Sequence, residues 1–152
     1  MKLLLLPEPK SISFAPGAFQ PAKPVRLFVD HGMERPVFQA ALKLGRMLND
    51  ELHVPASPDC LGDHPAESGH IHLLTETRGR EESYRLAITR DSIRISGRGP
   101  RGLFYGIQTL AQIFRDQGPR PPCLVIKDTP DYAHRGYYLD VSRGKVPTLS
   151  TL

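Results

Sequence analysis

The chain has 152 residues, 39% of them hydrophobic, and 20 lysines and arginines against 16 acidic residues give a formal net charge of +4. This length and mixed composition suit one domain with its own core and exclude gross disorder. Because the basic excess is small and lies on turns and alternating strand positions such as Arg85 and Arg94, without interleaved aromatic residues, it predicts a solvated face and no nucleic-acid surface.

The chain begins with an apolar run that is too short for a secretory signal. Residues 3–6 are all leucine, but Pro7 and Glu8 follow, whereas the apolar region of a signal peptide needs about seven to fifteen residues. No window is long enough to span a membrane. We therefore expect a cytoplasmic protein in which Cys60 and Cys123 are unpaired thiols, since two cysteines make no disulfide framework or zinc motif.

Short strands and a helix are predicted for the first third of the chain. Residues 3–6, 11–14 and 25–29 are β-type runs separated by prolines, which is typical of strands at a sheet margin. Residues 36–52 form an amphipathic helix with Pro36 in its first turn. Its predicted buried stripe follows spacings of three and four: Phe38, Ala41, Leu42, Gly45, Leu48 and Leu52.

The middle of the chain predicts a loop followed by three strands. Residues 54–69 are rich in proline, glycine, serine and aspartate, which indicates a surface loop. A strand follows at residues 70–74. Residues 84–88 and 93–95 alternate apolar and polar side chains on either side of Arg90 and Asp91, so we expect a hairpin with one face packed inward.

A second helix and a further strand complete the predicted fold. Gly118 and Pro119 end the helix, and Gly102 and Gly106 would let it approach a sheet closely. Residues 124–126 predict one more strand. Together the elements indicate the α+β class, one mixed β-sheet with two helices packed on one face. The buried stripe of the second helix is Leu103, Ile107, Leu110, Ala111 and Phe114.

Residues 137–141 predict a strand of another kind. They are apolar without alternation until Asp140, as in strands covered on both faces of a parallel sheet or barrel. The C-terminal end of this run carries an acid, Asp140, and a base, Arg143. Only nine residues follow Arg143. We therefore expect an accessory domain followed by the opening piece of a second domain that is largely missing.

A set of motifs resembles a known family. The stretch GLFYGIQTLAQIF at residues 102–114 is followed by Asp-x-Pro at residues 128–130, Tyr132, Arg135-Gly136, and LDVSR at residues 139–143. In this order and spacing, the motifs are similar to those of glycoside hydrolase family 20, the β-N-acetylhexosaminidases. The resemblance is strong after residue 99 and weak before residue 84.

The resemblance implies a division of the chain and a role for its last motif. Residues 1–130 would be a non-catalytic domain that resembles the zincin architecture without its metal, and residues 131–152 the truncated start of a (β/α)8 catalytic barrel. Barrel active sites lie at the C-terminal ends of strands. Arg143 would therefore bind hydroxyls of the terminal sugar in the intact parent, supported by Asp140, and Arg135 would lie near the opposite, structural end.

The resemblance also implies that this chain has no catalytic residue of its own. In the family a glutamic acid protonates the leaving oxygen while the acetamido carbonyl of the substrate attacks, oriented by an adjacent aspartate. That pair belongs to a later barrel strand. Asp50-Glu51 lies at the end of a helix and is assigned to solvent. We expect partners to be N-acetylhexosamine-containing glycans and the missing barrel, with no cofactor, nucleic acid or membrane.

Three further features of the sequence have structural explanations. His70 and His72 share a strand face, but no third ligand accompanies them, so a zinc site is disfavoured. The glycines at 97, 99 and 102 do not have dinucleotide-motif spacing, which leaves backbone freedom and close packing. Tyr105 is predicted to be a core or interface residue and not a sugar-stacking aromatic.

Two functions stay open. The chain is either the inert N-terminal piece of a glycosidase or an independent carbohydrate-binding or protein-interaction module. Without its barrel neighbours, the strand at residues 137–141 would also offer open edges for self-association.

Overall fold

The structure, a computed structural model, describes residues 3–30, 33–61 and 67–136 with Tyr138 and Thr148, without the side chains of residues 58–61. Within that part the chain forms two helices, α1 (Arg35–Asp50) and α2 (Pro100–Gln117). It also forms seven strands: β1 (Ser11–Ala18), β2 (Val25–Val29), β3 (Ala56–Leu61), β4 (His70–Thr75), β5 (Tyr84–Ile88), β6 (Ser92–Gly97) and β7 (Pro122–Asp128).

All seven strands belong to one mixed sheet, in the order β1-β7-β5-β6-β4-β2-β3. The pairs that join β3, β2, β4 and β6 are parallel, whereas those that join β6, β5, β7 and β1 are antiparallel. The helices contact each other and strands of the same sheet, so they lie on one face. The predicted mixed sheet with two helices is confirmed.

The core lies between the sheet and the two helices. Alternate side chains of the strands point toward the helices, as the two-residue period of a strand requires. The predicted hairpin is confirmed as β5 and β6, with Leu86 opposite Ile95. The fully buried strand residues include Leu27, Ile71, Leu73, Leu86, Ile93, Ile95, Leu124 and Ile126.

Helix α1 buries a stripe rotated slightly from the predicted one. Pro36 lies in its first turn, as expected. Phe38, Leu42 and Leu52 are only half-buried, because the sheet contacts the neighbouring side of the helix. The buried residues are Val37, Ala40, Ala41, Leu44, Gly45, Met47 and Leu48.

Helix α2 matches its prediction closely. All five predicted stripe residues are buried, and the helix ends at Gly118, whose φ of 73° suits a glycine C-cap. A Cβ atom on Gly102 would lie 2.2 Å from the carbonyl oxygen of Ser83, and one on Gly106 would lie 2.5 Å from Cγ2 of Ile95. The predicted close approach of helix to sheet is therefore confirmed.

Two local expectations are wrong. Residues 3–6 form no strand: Leu3 and Leu5 are buried in the core while Leu4 and Leu6 are exposed, but this alternation has no neighbouring strand to pair with. Residues 54–69 are not all loop, because β3 pairs with β2 within them. β3 lies at the edge of the sheet and pairs with an irregular register. Sheets tolerate proline at edge strands and at such irregularities.

The helices of the described residues are not membrane spans. Neither is long and apolar enough to cross a bilayer.

Candidate functional site at the C-terminal junction

The two residues predicted to bind sugar lie outside the described residues. Asp140 and Arg143 are therefore still predictions, as is the strand at residues 137–141. Of that strand only Tyr138 is described, and its side chain is 89% exposed. The continuous described stretch that precedes the predicted site is the exit segment, residues 131–136, which follows β7.

Three parts of the fold converge where the exit segment leaves the sheet. Tyr84 at the start of β5 is paired with Asp128 at the end of β7, and also with Gly97 at the end of β6. The loop before β5, the start of α2 and the exit segment therefore lie at one end of the sheet. We call the four polar residues that meet there the junction cluster: Glu82, Arg101, Tyr105 and Arg135.

Arg135 is the centre of the junction cluster. Its Nη1 donates to Oε2 of Glu82 at 2.9 Å and to the carbonyl oxygen of Tyr132. Its Nη2 donates to the hydroxyl of Tyr105 at 3.0 Å. The guanidinium carbon lies 5.8 Å from the centre of the Tyr105 ring, within cation–π range. One side chain thus joins the exit segment to the loop before β5 and to α2.

Glu82 is shared between two arginines. Nη1 of Arg101 lies 3.4 Å from its Oε1, so each carboxylate oxygen faces a different guanidinium. The hydrogen bond from Arg135 lowers the pKa of Glu82, and the charges of Arg135 and Arg101 add to this against the opposing effect of desolvation. Glu82 is therefore ionised at neutral pH and has no proton to give, unlike a general acid, whose pKa is raised.

A groove of about 400 Å³ lies beside the junction cluster. Its walls are the N-terminal segment, α2 and the exit segment. The N-terminal wall is held by Gln112, which donates to the carbonyl oxygen of Leu6 and accepts from its amide. Lys10 and Asp131 form an ion pair between the first and last walls. The groove is lined by apolar and polar side chains, among them the exposed ring of Tyr132.

The histidine pair is part of a packed cluster. His70 and His72 are 5% and 3% exposed, and both rings contact Phe28, edge-on at 5.5 Å and stacked at 5.3 Å. Nδ1 of His70 accepts from the amide of Arg26 at 3.2 Å. Among the described residues, no three histidine, cysteine or acidic side chains are grouped as a metal site.

The remaining predicted positions have packing roles. Asp50 and Glu51 are exposed, as expected, but Glu51 also accepts from Arg115 at 3.0 and 3.2 Å and so links the ends of α1 and α2. A Cβ atom on Gly99 would lie 2.8 Å from the carbonyl oxygen of Glu81. Tyr105 is half-buried at the interface of α2 with the exit segment, where an interface residue was predicted.

The junction cluster itself was not predicted from the sequence. Glu82 and Arg135 are 53 positions apart, and Glu82 lies in a polar stretch with no periodicity. The sequence offers one signal, Arg135 in the motif Arg-Gly, but the family resemblance places that motif at the structural end of a barrel strand. Its partners depend on the pairing of β5 with β7, which local patterns do not specify.

Comparison with known proteins points to one family. A family model described as glycosyl hydrolase family 20, domain 2, matches residues 2–129. A β-hexosaminidase of Porphyromonas gingivalis is 29% identical over 113 residues, which cover 66% of this chain and 14% of that protein. A β-hexosaminidase of Vibrio furnissii is 34% identical over 82 residues, 53% of this chain and 13% of that protein. The chain thus spans about one seventh of the length of these curated relatives.

Solved structures agree with the sequence relatives. A glycoside hydrolase family 20 β-N-acetylglucosaminidase is 31% identical, with a TM-score of 0.65 over 90% of this chain and 24% of that chain. The Flavobacterium johnsoniae chitobiase is similar in fold, with a TM-score of 0.70 at 22% identity over 88% of this chain and 22% of that one.

Proposed function

The chain belongs to glycosyl hydrolase family 20, whose domain 2 it matches over residues 2–129, and from this membership we propose that it is the non-catalytic accessory domain of a β-N-acetylhexosaminidase. Residues 1–130 would form that domain. Residues 131–152 would begin the (β/α)8 barrel in which the terminal N-acetylhexosamine is removed with the help of its own acetamido group.

Within the parent enzyme, the described domain would supply structure and the residues after it would supply chemistry. Arg143 would bind hydroxyls of the terminal sugar, because a guanidinium fork can donate to two oxygens at once. Asp140 would support it from the same strand end. The acid and the aspartate that orients the acetamido group would come from a later barrel strand.

One observation carries this proposal: the match to domain 2 takes up nearly all of the described residues, and the part of a β-hexosaminidase relative that this chain matches is only 14% of that protein. The junction cluster is consistent with it. Its only carboxylate, Glu82, is ionised and held by two arginines, which suits a structural role better than proton transfer.

The proposal is tested by assaying the 152-residue chain with an aryl N-acetyl-β-glucosaminide. We expect no release of the aryl alcohol above the buffer rate, because the general acid of the proposed mechanism would come from a later barrel strand. The matched positive sample is the same chain extended through a family 20 barrel. Turnover by the 152-residue chain alone would refute the non-catalytic assignment.

The extended polypeptide tests the role of Arg143. Arg143→Ala should lower its kcat/KM about 10- to 100-fold, since hydrogen bonds to a charged group contribute roughly 1.5–3 kcal/mol. Arg143→Lys should recover little, because an ammonium cannot reproduce the fork. If calorimetry instead shows the 152-residue chain binding chitooligosaccharides without the barrel, the independent carbohydrate-binding module replaces this proposal.

A further inference from the structure

We propose that Arg135 is a positioning residue: bound by Glu82 and Tyr105, it fixes the direction in which the chain leaves this domain and so sets where the next strand begins. The inference deepens the proposed function and rests on it, because the next strand is taken to be the first strand of the catalytic barrel. It concerns residues that do not touch substrate.

The exit segment depends on side-chain contacts for its placement. Residues 131–136 are all exposed and form no helix or strand. The contacts that hold the segment to the domain are the ion pair of Asp131 with Lys10 and the bonds of Arg135. Arg135 is the last of these anchors before residue 137, so the direction of the following chain depends most on this residue.

The bonds of Arg135 define an orientation as well as a position. Nη1 is bound to Glu82 while Nη2 is bound to Tyr105, and the planar guanidinium keeps these donors in fixed relative directions. Nη1 also reaches the carbonyl oxygen of Tyr132, which closes the exit segment on itself. A lysine has no such plane and would fix one distance without fixing an angle.

The anchors of Arg135 are attached to the sheet and to α2. Glu82 lies two residues before β5, a central strand, and its second oxygen is held by Arg101. Tyr105 is on α2, which Gly102 and Gly106 bring into close contact with Ser83 and Ile95. A shift at Arg135 would be carried along the eight residues to Arg143, which in an extended strand span about 26 Å.

Limited trypsin digestion of the 152-residue chain tests the first half of the inference. Trypsin must bind the side chain of Arg135 to cut the Arg135-Gly136 bond, so the junction cluster competes with the protease. Arg78-Gly79 is an internal control bond with the same two residue types, in an exposed turn. The quantity measured by mass spectrometry is the ratio of the cleavage rates at Arg135 and Arg78.

Removing one anchor at a time should raise that ratio. We expect Glu82→Gln and Tyr105→Phe to raise it about two- to five-fold, the range open to a partly exposed ion pair. Glu81→Gln is the matched control: Glu81 is the exposed neighbour and has no hydrogen bond or ion pair to any described residue. An unchanged ratio in both variants would overturn the inference.

A global effect must be separated from a local one. The midpoint temperature of unfolding should stay near that of the parent chain in Glu82→Gln, because the core does not change. If the midpoint falls steeply and cleavage rises equally at Arg78 and Arg135, the cluster supports the whole domain, and the positioning role is refuted.

The second half of the inference, that Arg135 sets where the next strand begins, is tested in the polypeptide extended through the barrel. Glu82→Gln should raise KM for an aryl N-acetyl-β-glucosaminide more than it lowers kcat, since Arg143 would be displaced while the acid on a later strand is not. Unchanged constants, together with a raised trypsin ratio, would refute the coupling to the barrel. An inactive extended polypeptide would refute the proposed function, while the trypsin result would still decide how Arg135 is held.

Discussion

At Gly102 the absence of a side chain lets α2 lie close to the sheet. A methyl group there would lie 2.2 Å from a backbone oxygen of Ser83, which cannot rotate away as a side chain does. The contact places the first turn of α2 against the loop that carries Glu82. The close approach of helix and loop is therefore a condition for the junction cluster.

We predict that Gly102→Ala lowers the free energy of unfolding by up to about 2 kcal/mol. Overpacking usually costs about 1–3 kcal/mol, and the gain that alanine brings to a helix, about 1 kcal/mol, offsets part of this cost. Urea unfolding measures the difference. Gly136→Ala is the matched control, because its new methyl group would meet nothing within 4 Å. Equal stability of the two variants would show that the loop shifts without cost.

Sequence patterns predicted the residues of the helix–sheet contact but did not predict the ion pairs of the junction cluster. Gly102 and Gly106 follow from helical spacing, because small residues one turn apart mark a close contact. Glu82 and Arg101 carry no such signal, since an acid in a polar loop is usually solvated. Their pairing with Arg135 arises only after the strands have brought distant segments together.

A partly buried pair of hydroxyl groups joins strand β5 to helix α2. The hydroxyls of Tyr84 and Thr109 lie 2.7 Å apart. Burial raises the pKa of Tyr84 to about 12; the bond to Thr109 opposes this, and the charge of Asp128 adds to it. In the unfolded chain the pKa of this tyrosine is about 10. The folded chain therefore holds the phenol proton more tightly than the unfolded chain does.

The raised pKa of Tyr84 predicts a loss of stability in alkali. Its contribution is complete below pH 10 and is lost as the pH rises from about 10 to 12, because only the unfolded chain then releases the proton. Denaturant unfolding across this range measures the decline. Tyr84→Phe should make it shallower, whereas Tyr132→Phe, at a tyrosine 75% exposed, should not. Equal declines in the two variants would contradict the assignment.

The elements that were predicted correctly have strong local signals. The β5–β6 hairpin shows alternation on both sides of a polar turn, and α2 has an apolar stripe between clear ends. β3 was missed because its proline and aspartate resemble a loop, and only its edge position tolerates them. Residues 3–6 have the composition of a strand, but a strand also needs a neighbour, which composition does not reveal.

Two of the ion pairs that connect distant parts of the sequence involve a glutamate whose pKa is lowered. Glu51 and Arg115 are 64 positions apart, and Glu82 and Arg135 are 53 apart. The hydrogen bonds from these arginines lower the pKa of Glu51 and of Glu82 below the ordinary value of 4.5. Both carboxylates are therefore better stabilised in the folded chain than in the unfolded one.

The lowered pKa values predict part of the acid sensitivity of the molecule. Their contribution is present above about pH 4.5 and is lost as the pH falls through the folded-state values. The double variant Glu51→Gln/Glu82→Gln should be less stable than the parent chain at pH 7 and should lose less stability between pH 5 and 3. Unfolding curves at several pH values measure both effects.

The control for the acid prediction has the same change in net charge. Asp50→Asn/Glu81→Gln neutralises the adjacent exposed carboxylates, which have no ion-pair partner among the described residues. It should follow the parent curve more closely. If both double variants flatten the acid decline equally, general charge repulsion explains it, and the two ion pairs do not.

The position of β7 has a consequence for how the protein is made. β7 lies between β1 and β5, so β1 has no strand beside it until residues 122–128 exist. Ser11 then meets Lys127 across more than a hundred residues of chain, a closure that is slow because so much backbone must first be ordered. A ribosome therefore releases nearly the whole domain before its first strand can dock.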